Sequence, residues 1–235
     1  DKLLTTARYE AWETVARKLA HEIKNPLTPI QLSIDSLREK YKDKLPDGSQ
    51  EFEKYLETIN RQIRDIEKLV NEFSNFARMP RPILKKIDII KLLNRSLDFI
   101  KMTSKNKINL IKKTKNVEIN GDEDHLNRVF INLIKNSEES FLDIATKDPN
   151  FKGIIDIEIN DNNDYIIIRL TDNGTGITDA NKAMTPYFTT KKTGTGLGLP
   201  IVTKIINEHS GNFSIKNKTN GIGTVIKISL PKFNA

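Results

Sequence analysis

Apolar residues recur at every third or fourth position early in the chain: Trp12, Val15, Leu19, Ile23, Leu27, Ile30, Ile34, Leu37 and Tyr41. That spacing marks one buried face of an α-helix and predicts a single helix over residues 3–43. At ~1.5 Å per residue such a helix reaches roughly 60 Å, so it needs partners along its whole length. Leu45-Pro46-Asp47-Gly48-Ser49 supplies turn chemistry. The period then resumes with Phe52, Tyr55, Leu56, Ile59, Ile63, Ile66, Leu69, Val70, Phe73 and Phe76. The pattern describes an antiparallel helical hairpin. Two helices cannot shield apolar stripes this wide, so a second copy completing a dimeric four-helix bundle is expected.

Met79-Pro80-Arg81-Pro82 ends the second helix, and the pattern changes beyond it. Asp88 is placed to cap a helix running to about Ser104. Ile108 to Ile111 reads as a strand, and Asp122 or Asp124 opens a helix through Ile144 with Leu126, Val129, Phe130, Leu133 and Ile134 on its apolar side. Two alternating runs, Ile154 to Ile159 and Tyr165 to Leu170, are joined by an Asp/Asn turn and form a hairpin. A glycine-rich irregular stretch runs from Asp172 to Gly198. A helix follows to about His209, and a last hairpin spans Asn212 to Leu230 with its turn at Asn220-Gly221-Ile222-Gly223. Helices and strands alternate without a regular βαβ unit, which predicts an α+β sandwich of helices on a largely antiparallel sheet. The expected organisation is a helical hairpin over 1–78, a hinge over 79–87 and a second domain over 88–235.

Composition narrows this little. The 235 residues contain no cysteine, which excludes disulfides and thiolate metal sites. No apolar run approaches the ~18 residues of a membrane span. The abrupt Asp1-Lys2-Leu3-Leu4 opening reads as part of something longer. The net charge of +7 raises nucleic acid or an anionic membrane as partners. Acids are interspersed throughout and aromatics are few, so solvated faces explain it better, and nucleic acid is not expected.

The residues with the most chemistry lie inside the first helix. His21 is two positions from both Leu19 and Ile23, which at ~100° per residue turns it roughly 200° from the apolar stripe. A lone exposed histidine is ordinarily just solvated, but its neighbours here are specific. Glu22 adjoins an imidazole whose second nitrogen must lose its proton if the first is to attack. Asn25 shares its face at i+4. Pro26 and Pro29 remove helix hydrogen bonds, a cost of about 3 kcal/mol for an interior proline. His125 and His209 lack ligand partners at metal spacing and are assigned to structure or solvent.

The second half carries three nucleotide-like elements. Asn132 and Asn136 share a helix face opposite the apolar set, where amide oxygens suit a hard cation and amide hydrogens a phosphate. Asp172-Asn173-Gly174-Thr175-Gly176 follows a hydrophobic strand, and a buried Asp there is able to accept from an exocyclic amine such as that of adenine. Gly194-Thr195-Gly196-Leu197-Gly198-Leu199 runs into a helix whose N-terminal N–H groups are able to bind phosphate, and Lys191 and Lys192 precede it. It is neither a P-loop nor a Rossmann fingerprint.

His21-Glu22-Ile23-Lys24-Asn25-Pro26-Leu27-Thr28-Pro29-Ile30 resembles the H-box of bacterial sensor histidine kinases, and the run from Ala11 to Ser33 the nitrogen-regulation NtrY type. The three later elements, together with Pro186-Tyr187-Phe188-Thr189-Thr190-Lys191, resemble the N, first glycine, second glycine and F boxes of the kinases' Bergerat-type (GHKL) ATP-binding domain. The resemblance covers about Ala7 to Pro231. It implies that Asn136 ligates Mg²⁺ with Asn132 assisting, and that Asp172 reads adenine. It also implies an ATP site completed by Gly174, Gly176, Phe188, Thr190, Lys191, Gly194, Thr195, Gly196, Leu197, Gly198, Leu199 and Thr224. Met184 and Thr185 depart from a Phe-Glu pair common before the F-box proline, Pro186. Ser137 replaces the usual alanine after Asn136 and reads as neutral.

The resulting expectation is a catalytic core in which His21 takes the γ-phosphoryl group of Mg-ATP while Glu22 accepts a proton. The group then passes to an aspartate on the receiver domain of a response regulator, of the NtrX type by resemblance. Asn25 is expected to support phosphatase activity toward that regulator. A cytoplasmic fragment is expected, anchored in the bacterial inner membrane only through segments upstream. The alternatives are a GHKL-type ATPase or a nucleotide-binding pseudokinase dimerisation module.

Overall fold

The computed structural model describes residues 2–41, 44, 49–77, 79–102, 104–114, 117–162, 164–185, 188–191, 194–219 and 222–233; the side chains of 2–19, 21, 49, 76, 77 and 99 lie outside that description. The expected turn residues 45–48, Asn220 and Gly221 fall outside it too. The chain divides into two compact units, Asp1–Pro80 with Lys191–Thr195 and Arg81–Thr190 with Gly196–Ala235.

The first unit is a hairpin of α1 (Lys2–Tyr41) and α2 (Ser49–Ala77). α1 stays helical through Pro26 and Pro29. Near the turn Arg38 Nε meets Glu53 Oε2 at 3.0 Å, and Tyr41 packs edge-on to Phe52. Leu27, Ile34, Leu56 and Ile63 form the core, with Phe52 against it. Burial follows a seven-residue repeat, Ala20, Leu27, Ile34 on α1 and Leu56, Ile63, Val70 on α2, the period of a left-handed coiled coil. Part of the predicted stripe is open: Ile23, Ile30 and Leu37 are 40%, 45% and 43% exposed, and Ile59 and Ile66 on α2 are similarly open. These too are seven apart, so each helix carries a second apolar seam.

The second unit layers α3 (Ile89–Lys101), α4 (Glu123–Ala145) and α6 (Gly198–Glu208) on a five-stranded sheet. Its strands are β2 (Lys107–Lys112), β4 (Ile154–Asp161), β5 (Tyr165–Asp172), β6 (Asn212–Asn217) and β7 (Thr224–Pro231), in the order β2-β4-β5-β7-β6. β2 and β4 are parallel with Ile108 opposite Ile155; all other neighbours are antiparallel. Alternate residues point into the core, as strand geometry requires: Ile155, Ile157, Ile159 on β4, Ile166, Ile168, Leu170 on β5, and Ile226, Ile228, Leu230 on β7. Asp88 caps α3 through Ile90 and Lys91 N–H groups, as its position predicts.

Two features were not anticipated. β1 (Lys85–Asp88) pairs antiparallel with β3 (Glu118–Gly121) in a small second sheet. The supposedly irregular 172–198 stretch holds a one-turn helix, α5 (Ala180–Ala183), capped by Asp179. Among the described residues no helix is long and apolar enough to cross a membrane.

Candidate functional site

α4 begins where Asp122 Oδ1 accepts from the N–H groups of Asp124 (3.1 Å) and His125 (3.0 Å). Its other carboxylate oxygen accepts from Ile83 N–H at 2.8 Å. Burial opposes the charge, but these backbone donors win and hold the Asp122 carboxyl below its ordinary pKa. Because Leu126, Val129, Phe130, Leu133 and Ile134 are buried, helical geometry sends Asn132 and Asn136 to another side. That side meets the start of α6. A β-carbon built on Gly198 would lie 3.5 Å from Asn132 Oδ1 and 3.6 Å from Asn136 Nδ2. Asn132 is steadied by donating from Nδ2 to Arg128 O at 2.9 Å. At the α6 end Leu197 stands at the N-cap and no side chain caps it. Orphan N–H groups at such an end suit phosphate.

The next turn of α4 meets the end of β5. Asp172 is 3% exposed. Its Oδ1 accepts from Gly174 N–H (2.9 Å) and Thr224 N–H (3.1 Å), and its Oδ2 from Ser137 Oγ (3.1 Å). A side chain at Gly174 would collide with Ser140, one turn beyond Ser137. Ser137, expected from sequence to be a neutral replacement, binds the buried carboxylate through its hydroxyl.

The structure thus gathers Asn132, Asn136 and Gly198 into one group and Asp172, Gly174 and Thr224 into another, both hung on α4. Gly176 and Gly196 adopt left-handed φ values of 82° and 68°, which glycine tolerates. Leu197 is buried and Leu199 half-buried in the first turn of α6. Phe188, Thr190, Lys191, Gly194 and Thr195 are strung along the segment leading into α6; Pro186 and Tyr187 lie outside the described residues. In the first unit, Glu22 and Asn25 are exposed on α1. His21 is part of that helix, and its side chain lies outside the description.

The sequence reading missed the part that two residues play at the site, the second of which it placed only in a turn. Asn217, at the end of β6, accepts from Ile177 N–H (2.6 Å) and donates to Ile177 O (2.7 Å), clamping the loop just past Gly176. Gly223, at φ 127°, lets its turn lie against the Asp172 backbone, where a β-carbon would strike the carbonyl oxygen. No local pattern announces either, since both act on residues about 40 or more positions away. His125 and His209 are both buried. His209 Nδ1 lies 2.8 Å from Ile205 O, and Nε2 accepts from Asp122 N–H at 2.9 Å, a neutral tautomer set by the backbone. Burial lowers the His209 pKa and raises that of its neighbour Glu208.

Residues 11–82 match the His Kinase A (phospho-acceptor) domain, and residues 121–234 match the histidine kinase-, DNA gyrase B- and HSP90-like ATPase family. The chain belongs to the sensor histidine kinase family. Among curated histidine kinases it is 34% identical over 231 residues to the nitrogen regulation protein NtrY of Azorhizobium caulinodans, which covers 97% of this chain and 30% of that protein. It is 37% identical over 229 residues to a putative sensor histidine kinase NtrY-like of Rickettsia bellii, covering 96% of this chain and 36% of the relative. The chain therefore spans about a third of these kinases. The histidine kinase ThkA, solved in complex with the response regulator protein TrrA, shares its fold with a TM-score of 0.64 at 22% identity, over 94% of this chain and 61% of that one.

Proposed function

We propose that this chain is a kinase core that moves the γ-phosphoryl group of ATP to His21 and then to an aspartate of a response regulator. One observation carries the reading. A phospho-acceptor helix bearing His21, Glu22 and Asn25 shares a chain with an ATPase-family domain whose Asn132 and Asn136 face the N-terminus of α6. A bare ATPase would leave the histidine helix without a task.

ATP is the substrate, and a divalent cation accompanies it. Among the described residues no group of three or more His, Cys, Asp or Glu side chains forms a metal cage. Amide oxygens beside phosphate oxygens suit Mg²⁺, which keeps few protein ligands. Asn136 would hold the ion with Asn132 assisting, and the ion would neutralise phosphate charge. Asp172 takes the adenine amine, and the first turn of α6 takes phosphate oxygens. One imidazole nitrogen of His21 attacks phosphorus as the bond to the β–γ bridging oxygen breaks and ADP leaves. Glu22 receives the proton from the other nitrogen. Positioning and charge stabilisation supply most of the rate.

The acceptor is a receiver-domain aspartate, of the NtrX type by analogy with the NtrY relatives. Asn25, exposed one turn after His21, orients a water that attacks the phosphorus of the phosphorylated regulator, so that the bond to the aspartate oxygen breaks and inorganic phosphate leaves. The hairpin pairs with a second copy through the open seam of Ile23, Ile30 and Leu37.

The test is incubation with γ-labelled ATP and Mg²⁺. The wild type should take up acid-labile, alkali-stable label, while His21→Gln and Asn136→Ala should not. Label persisting in His21→Gln would refute the acceptor. Asn25→Ala should still label but dephosphorylate the regulator more slowly; an unchanged rate would remove the phosphatase assignment.

A further inference from the structure

We propose that Ser137 is a positioning residue for purine recognition, acting through Asp172. The inference rests on the reading of Asp172 as the group that meets the base. Both backbone donors to Asp172, Gly174 N–H and Thr224 N–H, act on Oδ1. Such anchoring fixes one oxygen and leaves the carboxylate plane to turn, because the terminal torsion of an aspartate is broad. Oδ2 has one hydrogen-bond donor among the described residues, the hydroxyl of Ser137 at 3.1 Å.

The hydroxyl has a competing acceptor, Leu133 O, at 3.3 Å one turn back on α4. It owns a single proton, and the closer acceptor, Asp172 Oδ2 at 3.1 Å against 3.3 Å to Leu133 O, takes it. Ser137 and Asp172 are each 3% exposed, so bulk water does not replace this bond. Oδ2 keeps a second lone pair. With the plane fixed, that lone pair has a set direction and accepts only. A purine carrying a 6-amino group donates to it; a purine carrying a 6-oxo group would set acceptor against acceptor, and one bare at that position gains nothing. Ser137 thus converts a loosely held carboxylate into a directional reader of the exocyclic amine.

The measurement is equilibrium binding of ADP and of purine riboside diphosphate, which lacks the amine, to the whole chain with Mg²⁺. The wild type should prefer ADP. Ser137→Ala should weaken ADP about 10-fold and the amine-free nucleotide less than about 2-fold. Ser137→Thr, which keeps the hydroxyl, should restore the preference. Equal losses on both nucleotides, or no loss, would overturn the proposal, because a purely packing role would not distinguish the two bases. Asp172→Asn separates the two layers of inference. If it leaves the preference for ADP intact, the base reading itself fails; if it erases the preference while Ser137→Ala keeps it, only the role of Ser137 fails. Melting temperatures measured alongside show that each variant is folded, and Ser137→Cys, whose thiol is only a weak donor, carries the test should the alanine variant unfold: it should lose the preference for ADP, and keeping it in full would overturn the proposal.

Discussion

Two glycines show how a single missing β-carbon serves different ends. At Gly174 the space is already filled by Ser140, so Gly174→Ala forces α4 away from the end of β5. Overpacking of this kind costs about 1–3 kcal/mol, and a lower melting temperature should accompany weaker ADP binding. At Gly198 a methyl group makes only ordinary contact with Asn132 and Asn136, and alanine is the better helix former. Gly198→Ala should leave the melting temperature level or higher while ADP affinity falls about 10-fold, because the methyl occupies the approach to the α6 N–H groups. A joint loss of stability and affinity at Gly198 would contradict this assignment. The buried histidine makes a second residue-scale prediction. His209 has its pKa lowered from 6.5 by burial, so the unfolded chain takes a proton first and stability is lost as pH falls below 6.5. Glu208 is raised from 4.5 chiefly by burial, against the charges of Lys204, His125 and Arg81, so the folded state takes its proton first and gains stability on the way down. The two oppose each other between 6.5 and 4.5. Glu208→Gln should therefore lose stability more steeply than the wild type across that range in denaturant titrations; parallel curves would contradict the raised carboxyl.

Elements differ in how far the linear pattern reveals them. α1, α2, α3, α4 and the strands β4, β5 and β7 declare themselves because each has several apolar residues at one period and a polar stop. β1 and β3 do not. Lys85-Lys86-Ile87-Asp88 and Glu118-Ile119-Asn120-Gly121 each hold a single core residue, Ile87 and Ile119, too few to set a period, and they pair across 30 or more residues. α5 is one turn, held by the Asp179 cap rather than by amphipathicity. In the site, side-chain type made Asn132, Asn136 and Asp172 readable. The parts of Ser137 and Asn217 exist only once β5 meets α4 and β6 meets the 172–177 loop. The β6 clamp supports a prediction of its own. Asn217→Ala removes both bonds to Ile177 and should cost about 1–3 kcal/mol. Asn217→Asp should cost at least as much, since it loses the donor and sets a carboxylate against Ile177 O. Chemical denaturation measures both, and an aspartate variant as stable as wild type would mean that the donor arm is idle.

At the scale of the whole molecule, the hairpin carries two seams and covers only one by itself. The repeat Ala20, Leu27, Ile34 is closed by α2, while Ile23, Ile30 and Leu37 remain open with Ile59 and Ile66. Removing this apolar area from water is worth about 25 cal/mol per Å², so a second copy should close it. Ile30→Glu combined with Ile66→Glu should give a monomer in sedimentation velocity, with ADP binding retained because the ATPase fold has its own core. A dimer that survives both charges would place the interface elsewhere.

The order of strands in the sheet has a consequence for how the protein is made. β7 lies between β5 and β6, and Lys232 and Phe233 just past it bond β3 through Ile119 and Glu118. An interior strand is thus the last of the sheet's strands to be synthesised. The helical hairpin is complete some 150 residues earlier, whereas the nucleotide domain cannot close until β7 has emerged. Stalled or truncated chains should therefore expose sheet edges on β5 and β6, making them targets for chaperones and proteases while the acceptor helix is already formed.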